Sequence, residues 1–157
     1  LRTGGASVVN TSSIASRAFG NIDLTDLDNR DYTATKAYGD AKLANILFTK
    51  GLHARFHDQG ISAVAFHPGY IASNFAGEGR TWMRYLYRTP FRRLMGSSDA
   101  GAEKLLWFID GVPDATWTSG EYYEGRRLPR RPNPQQNDPA LVDAFWTESE
   151  RRVGILR

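Results

Sequence analysis

Cysteine is absent from the 157 residues, which excludes disulfides, thiolate metal sites and a cysteine nucleophile. It is compatible with a reducing cytosol, and a cytoplasmic location is the expectation. No stretch approaches the roughly 18 consecutive apolar residues of a membrane span. The start, Leu1-Arg2-Thr3-Gly4-Gly5, has no basic region followed by an apolar one, so a secretory leader is not expected there. Methionine is scarce, with Met83 and Met95 alone, and a chain opening at Leu1 is expected to be the remainder of a longer one. Internal repeats and low-complexity tracts are missing too.

What is present suits one globular domain, with 41% hydrophobic and 24% charged residues. A chain this long buries roughly 68–70% of its unfolded surface, enough for a core without a metal or disulfide staple. The net charge of +3 is mild, but its location is informative. Arg80, Arg84, Arg88, Arg92 and Arg93 stand against Glu78 alone, and Arg126, Arg127, Arg130 and Arg131 form a second cluster. Without a nucleic-acid reading module these clusters do not predict nucleic-acid binding.

Ala6 to Thr11 reads as a strand ending at Ser12-Ser13. A loop of turn formers without period follows from Ser16 to Asp31. From Thr35 to Asp58, Ala37, Ala41, Ala44, Phe48 and Leu52 recur every three or four residues, so this segment is a helix stopped by Gly60. Leu43, Ile46 and Leu47 widen its apolar surface beyond what one sheet contact buries, and a second packing partner is expected. Ile61 to Phe66 is a short apolar strand buried on both faces, running into the His67-Pro68-Gly69 turn. A second helix is signalled by Ser98-Asp99, by Ala102, Leu105, Leu106 and Ile109, and by Gly111 as its stop. Gly120 to Gly125 reads as a last strand, and Asp138-Pro139 opens a terminal helix. Strand-helix-strand-helix-strand-helix order predicts parallel strands joined by right-handed crossovers in a helix-covered α/β sheet.

Ligands of open α/β sheets sit beyond the carboxyl ends of the strands. Ser12-Ser13, the Pro68-Gly69 turn and the helix start at Tyr38-Gly39-Asp40-Ala41-Lys42 occupy those places. A spacing of four puts Tyr38 and Lys42 one turn apart on one helix face. A tyrosine with pKa near 10 shuttles protons poorly at pH 7, and closing about 3 units takes roughly 4 kcal/mol. A nearby ammonium supplies about 1–3 of those units by favouring the phenolate. Tyr32 and Lys36 repeat the spacing six residues earlier, but they lie in the polar loop ahead of the apolar period. His53 and His57 share a helix face without an evident third ligand, so no metal site is expected.

Val9-Asn10-Thr11-Ser12-Ser13, Tyr38-Gly39-Asp40-Ala41-Lys42-Leu43-Ala44-Asn45 and His67-Pro68-Gly69, in that order, resemble the short-chain dehydrogenase/reductase family and its retinol-dehydrogenase-like branch. The resemblance implies the C-terminal half of a doubly wound, Rossmann-like parallel sheet. It also implies an NAD(P)-dependent oxidoreductase acting on a small carbonyl or alcohol, expected to be apolar. Ser13, the second of its pair, would orient the substrate oxygen. Tyr38 would be the general acid or base, and Lys42 would lower its pKa and hold the nicotinamide ribose. Pro68, Gly69, Ile71 and Ser73 would meet the nicotinamide end of the cofactor, although Ser73 stands where threonine is commoner.

The family's glycine-rich pyrophosphate turn and its Asn-Ala-Gly segment do not occur here. Residues 1–157 are therefore expected to be the C-terminal part of one catalytic domain, which neither binds NAD nor NADP well nor turns over by itself. The residues that choose between NAD and NADP would lie in the absent half. The aromatic and basic stretch around Trp82 to Met95 is open to reading as a substrate lid or as a helix docking on a membrane surface. Apolar surface left on the Tyr38 helix suggests a homo-oligomer. A non-catalytic interaction module, or an epimerase or dehydratase using the same Ser-Tyr-Lys set, remain alternatives.

Overall fold

A computed structural model describes residues 5–69 and 98–155. Strand β1, Ala6–Thr11, carries Val8, Val9 and Thr11, whose branched side chains suit a pleated surface. It pairs in parallel with β2, Ile61–His67, from Ala6 opposite Ile61 to Thr11 opposite Phe66. Strand β3, Tyr122–Glu124, adds in parallel on the far side of β2, giving the order β1-β2-β3 among the described residues.

The period-2 alternation of the central strand sends its side chains into two cores. Val64 and Phe66 join Phe108, Trp117 and Tyr123 on one face, where each fully buried large side chain stabilises the fold by roughly 1.5–3 kcal/mol. Ala65 meets Ile46 and Tyr122 on the other. Helix α3, Ser98–Ile109, covers the first face, and α2, Ala34–Phe56, the second. Helices on both faces of a parallel sheet are the expected doubly wound arrangement. Thr33 caps α2 by accepting from the Lys36 amide, and Gly60, at φ +84°, ends the 3-10 turn that follows.

The second partner of α2 lies in the same chain. Helix α4, Pro139–Arg152, is capped by Asp138, which accepts from the Ala140 and Leu141 amides at 3.0 and 3.2 Å. It packs Val142 against Leu43 and Leu47, and Trp146 stacks on Phe48 with ring centroids 5.6 Å apart. Part of the surface expected to face another subunit is therefore covered internally.

Three local differences have physical causes. The segment read as loop from Ser16 contains α1, Ala15–Ala18, too short to leave a period. Ser13 supports it by accepting from the Ala15 amide at 3.2 Å through Oγ, while Ser13's carbonyl accepts from Ser16 Oγ at 2.6 Å. Helix α3 stops at Ile109, before Gly111, whose bare backbone lies against Trp107 and Trp117. The strand read from Gly120 to Gly125 is shorter because Gly120, at φ +85°, leaves extended geometry, although its amide still donates to Ala63 at 2.7 Å.

Candidate active site

The carboxyl end of β1 delivers two adjacent serines with different fates. Ser12 is 2% exposed, and its hydroxyl donates to the carbonyl of Lys42 at 2.7 Å. Ser13 accepts the Ala15 amide, and among the described residues its own hydroxyl proton is given to no protein acceptor. Ser12 is thus a structural tie, and Ser13 is the serine with a donor to offer.

Lys42 reaches back from α2 to the same strand end. Its ammonium donates to the Thr11 carbonyl at 3.3 Å, and Asn45 donates to that oxygen at 3.0 Å. The ammonium lies 5.5 Å from the centroid of the Tyr38 ring. Burial pushes the Lys42 pKa down, because desolvation penalises the cation. A poorly hydrated ammonium beside a phenol gains more from a phenolate than a solvated one would.

Two glycines hold the Ser13 loop against this turn. A Cβ on Gly39 would lie 2.6 Å from the Phe19 carbonyl carbon and 2.7 Å from the Gly20 nitrogen. Only bare backbone on both sides permits that crossing. Asn133 pins the loop from outside by donating to the carbonyls of Ser16 and Gly20 at 2.8 and 2.9 Å. The buried Asp40 carboxylate accepts from the Asn21 amide at 2.8 Å and pairs with Lys36 at 2.5 Å.

That ion pair separates the two Tyr-Lys candidates. Lys36 is engaged by Asp40 and Asn29, and Tyr32 is 69% exposed ahead of the helix cap. Tyr38 and Lys42 are the pair brought to the end of β1.

At the end of β2, Gly69 has φ +99°. Lys104, from α3, donates to the Pro68 carbonyl at 2.7 Å. His67 is buried, and its pKa falls to about 4, first by desolvation and then by the charges of Lys104 and Arg17, so the ring is neutral at pH 7. Ile71, Ser73 and the stretch from Trp82 to Met95 lie outside the described residues. Lys104, Asn133 and Asp40 escaped sequence reasoning: Lys104 and Pro68 are 36 positions apart, and Asn133 and Ser16 are 117 apart.

A cleft of about 360 Å³ opens elsewhere, bordered by Lys50, His53, Ser119 and Glu121, and includes none of Ser13, Tyr38 and Lys42. His53 there contacts Ser119 Oγ at 2.9 Å through Nδ1, and His57 pairs with Asp114 at 3.3 Å. Among the described residues no three His, Asp or Glu side chains are grouped to hold a metal ion, and no helix is long and apolar enough to cross a membrane.

By layout, this is part of a doubly wound α/β domain that converges a serine, a Tyr-x-x-x-Lys pair and a Pro-Gly turn at the strands' carboxyl ends. No family model matches the chain. Among curated proteins, Retinol dehydrogenase 12 of Mus musculus is 46% identical over 151 residues, 96% of this chain and 46% of the relative. A crystal structure of an uncharacterized protein from Mycobacterium Paratuberculosis aligns with TM-score 0.66 at 29% identity, covering 94% of this chain and 50% of that one. The NADPH-bound carbonyl reductase from chicken fatty liver, at 19% identity and TM-score 0.53 over 79% of this chain and 42% of its own, shares the fold. The curated proteins that this chain is similar to are retinol dehydrogenases and reductases of the short-chain dehydrogenase/reductase type, which match most of it. It spans about half the length of the curated relatives it matches, falling on their C-terminal half.

Proposed function

We propose that this chain is the proton-handling half of an NAD(P)-dependent oxidoreductase acting on a small, apolar carbonyl or alcohol. The observation that carries the proposal is the Lys42 ammonium, 5.5 Å from the Tyr38 ring and bonded to Thr11, two residues before Ser13. The cofactor, when bound, supplies or accepts the hydride at nicotinamide C4.

In the reducing direction Ser13 Oγ donates to the substrate oxygen and holds it in line with the phenol. The Tyr38 hydroxyl passes its proton to that oxygen as negative charge develops there. The phenolate left behind is stabilised by Lys42, worth about 1–3 pKa units to the phenol. In the oxidising direction the same phenolate takes the alcohol proton. Lys42 has further donors for the nicotinamide ribose.

The residues at the Pro68-Gly69 turn fit the nicotinamide end. Gly69 turns the chain there in a left-handed conformation that favours glycine, and a Cβ at this position would meet Lys104 Nζ at 2.5 Å. No glycine-rich pyrophosphate turn occurs in the sequence, so the 157-residue chain alone binds dinucleotide weakly and does not turn over. Tight binding in isothermal titration refutes that point.

The test of the chemistry is a fusion of this chain behind the N-terminal half of Retinol dehydrogenase 12, with hydride transfer followed by reduced-nicotinamide absorbance. Tyr38→Phe lowers turnover by about 10²–10⁴-fold, the usual contribution of a positioned general acid. Unchanged turnover overturns the assignment.

A further inference from the structure

We propose that Lys104 is a positioning residue for the nicotinamide end of the dinucleotide, acting by clamping the Pro68-Gly69 peptide from α3. The inference rests on the oxidoreductase assignment and adds to it a residue outside the Ser-Tyr-Lys set.

Pro68 has its φ fixed by its ring, which leaves the orientation of the following peptide plane as the soft variable of the turn. Lys104 removes that freedom by donating to the Pro68 carbonyl at 2.7 Å, partly buried, in a charge-assisted bond. The peptide is planar, and no peptide bond among the described residues is cis. Holding the Pro68 carbonyl on one side therefore directs the Gly69 N–H to the other. That N–H is the group a carboxamide oxygen can meet.

The same ammonium occupies the space that a side chain at Gly69 would need. Glycine and lysine are therefore one device: the glycine, at a left-handed φ of +99°, makes room, and the lysine fills it and holds the preceding peptide plane. Neutral His67 adds no positive charge beside it, and Arg17, whose charge also reaches His67, pairs with Glu124 at 3.4 Å. An ammonium that only joined α3 to β2 would stabilise the fold and leave ligand affinity untouched, which separates the two roles.

The test uses the 157-residue chain, amide NMR and two probes: nicotinamide riboside, which has no phosphate, and nicotinamide mononucleotide, which has one. Neither needs a pyrophosphate turn. Nicotinamide riboside is expected to shift the Gly69 amide together with the amides of Tyr38 and Lys42. Lys104→Met, which keeps the aliphatic stem, weakens its binding about tenfold, the factor carried by one charge-assisted hydrogen bond, and speeds Gly69 amide exchange. Lys104→Arg restores both.

Lower thermal stability of Lys104→Met with wild-type riboside affinity overturns the inference, since the lysine is then structural. Weakened mononucleotide binding with unchanged riboside binding also overturns it, because the ammonium is then a phosphate charge. Shifts at Tyr38 and Lys42 without one at Gly69 in the wild-type chain sink the clamp and leave the oxidoreductase assignment standing. A riboside that shifts none of the three overturns the clamp, while the oxidoreductase assignment is read separately, from hydride transfer by the fusion.

Discussion

The hydroxyl of Ser12 donates to the carbonyl oxygen of Lys42 at 2.7 Å, so the end of β1 is tied to the helical turn that carries Tyr38 and Lys42. The neighbouring Ser13 inherits its position from that tie. Two adjacent hydroxyls thus divide the labour: that of Ser12 ties strand to helix, and that of Ser13 accepts the Ala15 amide.

Substituting them separates the roles. Ser12→Ala removes a buried hydrogen bond and lowers unfolding free energy by about 1 kcal/mol, read from urea midpoints. Ser13→Ala also removes a buried hydrogen bond, the one accepted from the Ala15 amide at 3.2 Å, and lowers the midpoint by a similar amount. It alone lowers turnover of the fusion about a hundredfold, the scale of losing one aligned donor. The opposite pattern exchanges the two assignments.

Gly39→Ala sets two effects against each other. Alanine gains up to about 1 kcal/mol of helix propensity over glycine, but the new Cβ meets backbone atoms of Phe19 and Gly20 at 2.6 and 2.7 Å, and overpacking costs roughly 1–3 kcal/mol or more. Backbone cannot swing away, so the clash wins and the variant is destabilised. Gly51→Ala meets the Trp146 ring at 2.7 Å instead. That side chain can shift, so its loss of stability is the smaller of the two by denaturant unfolding.

Stability falls as pH drops from 6.5 toward 4. The folded state holds the His67 pKa near 4 against an ordinary 6.5, so within this window the unfolded chain takes a proton that the folded one refuses. The slope is about 1.4 kcal/mol per pH unit at most, or about 3 kcal/mol across the window. His53, lowered by burial and by His57, adds in the same direction. His67→Gln removes only its own share, so urea titrations of both proteins at pH 7.5 and pH 5 isolate it. Equal losses in both would sink the assignment.

The two lysines, Lys36 and Lys42, respond differently. Lys36→Met strips the buried Asp40 of its partner while the lysine side chain is 40% exposed, so water softens the penalty to about 1–2 kcal/mol of stability. Lys42→Met relieves a desolvated cation, costs little stability, and abolishes most turnover of the fusion. Measuring melting and hydride transfer on both variants checks the choice of Tyr38 over Tyr32.

Much of the scaffold was legible because its causes are local. The 3.6-residue period of α2, the Asp138-Pro139 start of α4 and the apolar run of β2 are set by neighbours in the chain. The Tyr38-Lys42 spacing follows from helix geometry, whatever the rest of the molecule does. The four-residue α1 was not legible, because a helix held by Ser13 and Asn133 has no period of its own to display.

Sequence alone thus determined the order of elements, the parallel strands and the one-turn separation of phenol and ammonium, since backbone sterics and periodicity act over a few residues. Tertiary structure decided which serine is tied down, that Lys36 belongs to Asp40, that α4 covers α2, and that Lys104 sits on the Pro68 carbonyl. Those choices join groups 30 or more positions apart in all but the Lys36 pair, and the crossovers between strands, not any local spacing, bring such groups within hydrogen-bond reach.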